Sequence, residues 1–499
     1  MDAAADAPAL PAPRRAGLFA LAFASGFAVL TIEIAGARLI APVFGLSAVP
    51  WTAVIGVILG ALAVGSHVGG RLADSRALPL SAILAFAGLT GALPVVGESF
   101  PWMARDVLGF IPGAVASAVV LFAPAVLCLG AVVPYLVQAD TESLSAVGRR
   151  AGDVSAMATL GSIVGTFVTG FVLLPAFPLP VLLGLTSASL FLLAFASGRL
   201  LGRGPQGHHL AVAALTVGSL GFVAARLPEG TLAARQTLYA SVRVTEREWT
   251  DGRMVREMFQ NGGSSSAEYV DTGEPAHAYV MVSQRLLEPV LDQVDSMLVL
   301  GGAALSLPVA FQALRPQMDI VVVEIDPVVT ELAVEHFAYG DAAYPNIHVL
   351  HEDARLHLRA SRASYDVIYL DVFDHLLTVP WTMVTREALV DMADRLGPDG
   401  LFVANVLSPL AGPGIGFIER FRATLDDVFA ETRVYLVRPE ADPSVTQNLV
   451  VIAAKRAGAL PDVVWPQASV GPAGRPLTDA WAPVEYLQAK VFLRGLGWS

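Results

Sequence analysis

The chain has one cysteine, Cys128, in 499 residues. An intramolecular disulfide is therefore excluded, as is a metal site built from several thiolates of this chain. Charge is also scarce: 15% of residues are Asp, Glu, Lys or Arg, and the net charge is −12. With no Lys/Arg cluster to offset that acidic balance, nucleic acid is excluded as a general partner. Apolar residues take up the difference, at 54% of the total with a mean hydropathy of +0.59. Such a composition is too apolar for an ordinary soluble protein and points to membrane spans. The apolar excess lies before about Arg226, so the chain divides there into a membrane part and a soluble part.

Residues 1–16 are rich in Ala and Pro and read as a disordered N-terminus. Pro11 to Arg15 resembles the charged start of a signal peptide, but the apolar run behind it is too long, so it reads as a first span. Residues 17–226 form a transmembrane helical domain of about seven apolar segments: 17–40, 52–72, 78–97, 112–137, 154–175, 179–198 and 209–226. Their many Gly, Ala and Ser residues let helices approach closely in lipid, as in a packed bundle. Pro124 and Pro134 are expected to kink the fourth segment. Glu33 and Arg38 interrupt the first span; either Arg38 snorkels to the interface and Glu33 pairs with another helix, or the bundle has a polar site that recognises a cation. His67 in the second reads as a helix-packing residue.

Arg14, Arg15, Arg71, Arg76, Arg149, Arg150, Arg199 and Arg203 fall on the N-terminal side of a seven-span arrangement, with only Arg105 opposite. The positive-inside rule then puts the N-terminus in the cytoplasm and, after seven spans, the soluble part outside. A nucleoside cofactor is normally supplied in the cytoplasm, which conflicts with that placement unless one segment is re-entrant or the soluble part is exported.

Residues 227–290 read as a small β region, with strands near 236–245 and 253–260, a loop over Asn261 to Ser266 and a linking helix over Glu274 to Glu288. Residues 291–457 read as an α/β domain with a Rossmann-like, doubly wound sheet. Its short apolar runs are Met297 to Leu300, Ile320 to Val323, His348 to Leu350 and Tyr365 to Leu370, with helices between them. A strand over Leu401 to Leu407 follows, and an antiparallel pair, 432–437 with 447–454, closes the sheet. Residues 458–499 form a Pro/Gly-rich C-terminal tail.

In such sheets ligands bind at the carboxyl ends of the strands, where this chain places glycines and acids. Gly301 and Gly302 follow the first run and let a ligand approach the backbone, or simply make a strand-to-helix turn. Glu324 lies about 20 residues later, where an acid can accept hydrogen bonds from a nucleoside ribose. Asp326, before Pro327, reads as a helix cap. Asp353 with Ala354 either accepts from an adenine amino group or caps a helix. Asp371 and Asp374 flank a turn after the fourth run; two close carboxylates can hold an ammonium and take a proton from an amine. His348, His351 and His357 need no metal to explain their spacing, and no metal site is expected.

Gly301-Gly302, Val323-Glu-Ile-Asp326, Glu352-Asp353-Ala354, Tyr369-Leu-Asp371-Val-Phe-Asp374 and the segment Thr378 to Glu387 resemble the motifs of the spermidine synthases, the polyamine aminopropyltransferases. Ser25-Gly-Phe, Glu33, Arg38 and Gly69 to Asp74 are similar to bacterial proteins that fuse a transporter-like bundle to such a domain. The resemblance implies a membrane-bound transferase of the cell membrane. Its donor would be decarboxylated S-adenosylmethionine, its acceptor an amine such as putrescine, and its product methylthioadenosine. It gives Asp371 the role of base and Asp374 that of ammonium binder. It gives the ribose to Glu324, the adenine to Asp353 and Ala354, and the pocket walls to Tyr239, Gln260 and Tyr279. The partners implied are the nucleoside donor, the polyamine acceptor, the lipid bilayer and a second copy in a homodimer. No tightly bound cofactor is expected.

Three departures from the family pattern matter. The loop Gly301 to Ser306 lacks the family's acid, Ala240 stands where a glutamine is usual, and His375-Leu-Leu replaces a proline and glycine. They leave open a relative that uses S-adenosylmethionine itself, as a methyltransferase or in an intramolecular or lytic reaction. A non-enzymatic polyamine transporter or sensor is also left open.

Overall fold

The computed structural model describes residues 12–45, 48–140, 147–202, 207–224, 229–249, 251–341, 344–373 and 378–490. The chain separates into two compact units, Met1–Arg226 and Leu227–Ser499.

The first unit is helical. Ala12–Phe44 is one helix of 33 residues and begins inside the stretch expected to be disordered. Pro13 falls in its first turn, where a missing N–H costs nothing, and Arg15 is anchored at 2.8 Å to Asp153. Five helices are long and apolar enough to cross a bilayer: Arg14–Phe44, Pro50–Ser75, Ala123–Asp140, Val147–Ala176 and Leu179–Leu201. Leu80–Val96 with Phe100–Leu108, bent by 73°, makes a sixth if counted as one span, and Phe110–Leu121 and Leu210–Gly221 are apolar but shorter. The expected count of seven is thus not reached by length and composition among the described residues. The segment expected at 112–137 is divided at Phe122 and Ala131, shortly before Pro124 and Pro134, whose rings cannot donate the helical hydrogen bond.

Small residues set the helix packing. Residues 138 positions apart meet along Ala12–Phe44 and Val147–Val168 with its continuation Thr169–Leu173: Arg15 with Asp153, and Thr31 with Thr169 across a 2.9 Å hydroxyl contact. The two helices therefore run parallel. A Cβ on Gly161 would lie 1.9 Å from the carbonyl oxygen of Phe23, and one on Gly165 2.8 Å from that of Phe27. Gly65 and Gly69 do the same against Leu127 and Ala131. Both pairs are Gly-xxx-Gly spacings that bring backbones together. At one end of the bundle Asp140, fully buried, accepts from Arg150 at 2.9 Å and faces Arg15 at 3.6 Å. His67 points to the exposed side of its helix, and the packing role expected for it is not seen. Glu33 is half-buried and makes no ion pair among the described residues.

The second unit begins with an antiparallel sheet of β1 (Thr231–Gln236), β2 (Ser241–Glu248), β3 (Met254–Gln260) and β4 (Gly263–Tyr269), in that order. Strand β4 replaces the loop expected over Asn261 to Ser266. The polar Gly-Gly-Ser-Ser-Ser composition suggests a turn, but the turn is confined to Asn261 and Gly262, both at positive φ. Ala278–Leu287 then leads to the main sheet.

That sheet has seven strands: β5 (Ser296–Leu300), β6 (Asp319–Val323), β7 (Ile347–Leu350), β8 (Tyr365–Leu370), β9 (Leu396–Ser408), β10 (Glu431–Leu436) and β11 (Gln447–Ala454). Their order is β10-β11-β9-β8-β5-β6-β7, with β5 to β9 parallel and β11 antiparallel to both neighbours. This is the Rossmann-like doubly wound arrangement. Near-continuous apolar runs suit it because both faces are covered. Met297, Val299, Val367 and Tyr369 pack on one side with Val282, Leu286 and Phe311. Leu298, Leu300, Ile368 and Leu370 pack on the other with Leu389, Met392 and Phe421.

The segment after Ala457 is part of this second core. Val470, Leu477, Val484 and Leu487 are buried against the sheet's outer helices. Asp479 accepts from Thr385 Oγ1 at 2.6 Å and pairs with Arg355 at 3.1 Å.

Candidate active site

The strand order reverses between β5 and β8, and the crevice of a doubly wound sheet opens at their C-terminal ends. Gly301 follows β5 with φ +94°, and a Cβ there would lie 2.3 Å from the carbonyl oxygen of Asp371. Only glycine fits that position. Ala303 and Leu305 also have positive φ, 43° and 61°, so the loop holds two non-glycine residues in the left-handed region. Its Ala304 N–H donates to Ser266 Oγ at 3.1 Å, which ties the loop to β4.

Glu324 closes the loop from the β6 side. Its Oε2 accepts from the N–H groups of Gly302 (2.9 Å) and Ala303 (3.1 Å), and its Oε1 from Asp326 N–H (3.0 Å). Burial pushes its pKa up, while the three N–H donors act against that rise. Three of its four lone-pair positions are used, which leaves room for about one ligand hydroxyl. Asp326 caps the helix Pro327–His336 through Val328 N–H and accepts from Thr237 Oγ1 at 2.5 Å.

Asp371 stands just beyond β8, its N–H bonded to Leu300 O at 2.9 Å. The Tyr279 hydroxyl donates to its Oδ2 at 2.7 Å, and Asn405 Nδ2 donates to its Oδ1 at 2.9 Å. Burial pushes the Asp371 carboxyl up to about 6, with both donors pulling the other way. A carboxylate so placed is ionised at neutral pH yet more basic than an exposed one. Tyr279 is itself held in place. Ser283 Oγ donates to its carbonyl at 2.8 Å and therefore accepts from Tyr369 OH at 2.7 Å. Burial raises both phenols well above their usual range, so they are donors at physiological pH. His277 lies beside Tyr279 with ring centroids 5.8 Å apart; burial lowers its pKa, and the Glu257 charge opposes that.

The structure thus brings Gly301, Gly302, Glu324, Asp371 and Tyr279 together. Asp353, exposed at the end of β7, caps Ala354–Ala360 by accepting from Leu356 N–H at 2.9 Å. Tyr239 is 45% exposed in the turn between β1 and β2. Gln260 is half-buried at the end of β3. Asp374 lies outside the described residues. Among those residues no cluster of three or more His, Cys, Asp or Glu could hold a metal. Asn405 is a further member of the site, marked in the sequence only as a carboxamide inside the apolar run Leu401 to Leu407.

No protein-family model matches the chain. It is similar to a protein named polyamine aminopropyltransferase from Vibrio vulnificus (strain CMCP6), 32% identical over 179 residues, which cover 35% of this chain and 58% of that one. The chain therefore matches less than two thirds of that relative's length. It is also similar to polyamine aminopropyltransferase 1 of Streptomyces coelicolor, 26% identical over 419 residues, covering 77% of this chain and 74% of that one. The latter match is longer than the second unit alone, so it reaches into the helical unit. Among solved structures, a probable spermidine synthase from Corynebacterium glutamicum ATCC 13032 matches with a TM-score of 0.40 and 22% identity, over 46% of this chain and 81% of that one.

Proposed function

We propose, from its similarity to polyamine aminopropyltransferases, that the chain is a membrane-bound member of the spermidine synthase family, an aminopropyltransferase acting on decarboxylated S-adenosylmethionine and an amine such as putrescine. The observation that carries this reading is the Asp371 carboxylate, raised to about 6 and held by one donor on each oxygen beside the glycine turn. The attacking amine forms a C–N bond to the carbon next to the sulfonium. The C–S bond breaks, its electron pair goes to sulfur, and methylthioadenosine leaves. The nitrogen's extra proton passes to Asp371. A carboxylate more basic than usual suits that step at neutral pH. Glu324 would hold a ribose hydroxyl and Asp353 with Ala354 the adenine. Tyr239, Gln260 and Tyr279 would line the acceptor pocket, with Asp374 on an ammonium.

The loop Gly301 to Ser306 favours a second reading. It carries no acid for the donor's amine, and Ser306 Oγ is buried without a partner among the described residues. S-adenosylmethionine itself, with its carboxylate, would find no repulsion there.

The five long apolar helices support a bilayer placement for the first unit. If the bent pair is one span and the two shorter helices do not cross, six spans put both chain ends on the cytoplasmic side, as the arginines and the nucleoside supply require. A homodimer is part of this proposal through the family alone.

The test is mass spectrometry of products from the purified protein in detergent, given either donor with and without putrescine, beside Asp371→Asn. Methylthioadenosine with a lengthened polyamine, lost in the variant, establishes aminopropyl transfer. Methylthioadenosine without a polyamine product, or S-adenosylhomocysteine, moves the assignment to the second reading. No turnover of a donor that binds overturns the enzyme assignment.

A further inference from the structure

We propose that Asn448 is a positioning residue for Asp371: through Asn405 it fixes which end of a carboxamide the Asp371 carboxylate meets. Three adjacent strands carry the row. Asn448 Nδ2 on β11 donates to Asn405 Oδ1 on β9 at 2.9 Å, and Asn405 Nδ2 donates to Asp371 Oδ1 beyond β8 at 2.9 Å. The register explains why they meet. Asn405 is opposite Val450, so Asn448 is its diagonal neighbour on the same face of the antiparallel pair. Leu370 is opposite Ala404, which sets Asp371 beside Asn405.

The polarity of the row is forced from the carboxylate outward. An ionised Asp371 only accepts, so Asn405 must present its NH2 group to it and its oxygen to β11. Asn405 is 3% exposed, so that oxygen needs a donor, and Asn448 supplies it. Turned over, Asn405 would set a carbonyl oxygen against the carboxylate and favour its protonated form. Asn448 therefore biases the charge state of Asp371 without touching it. Among the described residues, the titratable groups that face Asp371 are Tyr279 from Ala278–Leu287 and Tyr369 from β8, and both are neutral donors. Neither can stand in for the missing constraint. Coupled hydrogen bonds of this kind act as a unit in a low-dielectric setting.

This inference rests on the transferase reading for its kinetic consequence but not for its titration, and the experiment separates the two. The Asp371 carboxyl is titrated in the full-length protein in detergent by infrared difference spectra, each protein against its Asp371→Asn counterpart. Asn448→Asp replaces the donor with an acceptor that claims the Asn405 NH2 group. The midpoint of the Asp371 band then rises by about one pH unit or more, a tenfold change in the ionised fraction. Asn448→Ala, which leaves Asn405 free to turn, moves it in the same direction by less and serves if Asn448→Asp does not fold. In the transfer assay the acid limb of kcat/KM shifts by the same amount, and activity lost at pH 7 returns at higher pH. An unmoved midpoint in both variants overturns the proposal, even if stability falls. A moved midpoint in a protein that turns over neither donor upholds the positioning role and overturns the transferase reading instead.

Discussion

Tyr279 and Asp371, 92 positions apart in sequence, meet at 2.7 Å between a phenol and a carboxylate oxygen. The contact joins the linking helix to the end of β8. The phenol donates to the charged form of Asp371 and so lowers its proton affinity.

Tyr279→Phe should therefore raise the Asp371 pKa further above 6. A hydrogen bond to a charged group is worth about 1.5–3 kcal/mol, or roughly one to two pH units, so the ionised fraction and with it kcat/KM at pH 7 should fall by roughly 2- to 15-fold. The loss should shrink as pH rises, because the carboxylate is recovered. A pH–rate profile checks this; a uniform loss at every pH would assign Tyr279 to substrate binding alone.

Asp371→Asn should remove activity and raise stability. The folded pKa, about 6, lies above the ordinary 3.8, so the folded state binds the proton more tightly than the unfolded one. Ionising Asp371 in the fold therefore costs stability as pH rises from about 4 to 6 and the cost stays constant above that, at about 2–3 kcal/mol. Melting curves at pH 7.5 should place the variant several degrees above the parent, with the gap closing below pH 4. A variant that melts lower at pH 7.5 would show that the site carries no such strain.

The main sheet is plain in the sequence because its strands are buried on both faces and end at Gly or acids: Met297 to Leu300 and Tyr365 to Leu370 fall where the structure has β5 and β8. Strand β4 is not legible, since Ser264 to Ser266 look like a turn and are held as a strand only by pairing with β3. The acids at the ends of the motifs are legible as residue types, and at Asp326 as a cap, while Asp353 leaves cap and adenine contact undivided. Asp326 and Asp353 are both acids before a helix and both cap one. The Asn448–Asn405–Asp371 row depends on which residues lie opposite across β11, β9 and β8, and that is set by register.

Gly301 and Gly302 should differ sharply on substitution by Ala. At Gly301 the φ of +94° is costly for any L-residue, and the new Cβ would strike the backbone of Asp371 at 2.3 Å. At Gly302 the nearest atoms, at 3.0–3.3 Å, are side-chain carbons of Val322, Leu305 and Glu324, which can give way. Gly301→Ala should abolish nucleoside binding by calorimetry, and Gly302→Ala should weaken it by less than about tenfold, or 1.4 kcal/mol. Equal losses would show that the glycines matter for the loop as a whole.

Ending the chain after Ala457 should unfold the second unit rather than trim it. Leu477, Val484 and Leu487 are each 5% exposed or less. Burying such a side chain contributes about 1.5–3 kcal/mol. Asp479 also anchors Arg355, whose side chain is 9% exposed and would lose one of its two carboxylate partners, keeping Asp391. The truncated protein should be degraded or aggregate on expression. A monodisperse truncated protein with native melting would show that the segment is dispensable.

The helical unit offers a contrast between two glycines of similar helices. Gly161 carries no side chain because the backbone of Phe23 runs against it, with a Cβ position 1.9 Å from a carbonyl oxygen. Gly70 has nothing within 4 Å. On the bilayer placement proposed for this unit, with no hydrophobic drive between helices in lipid, close backbone packing of this kind would supply much of the association. Gly161→Leu should therefore part Ala12–Phe44 from Val147–Val168 and lower the melting temperature in detergent by many degrees. Gly70→Leu should leave it within a degree or two. If the two variants melt together, the parallel pair is not what holds the bundle, and the ionic contacts of Asp140 with Arg15 and Arg150 become the contacts to remove next.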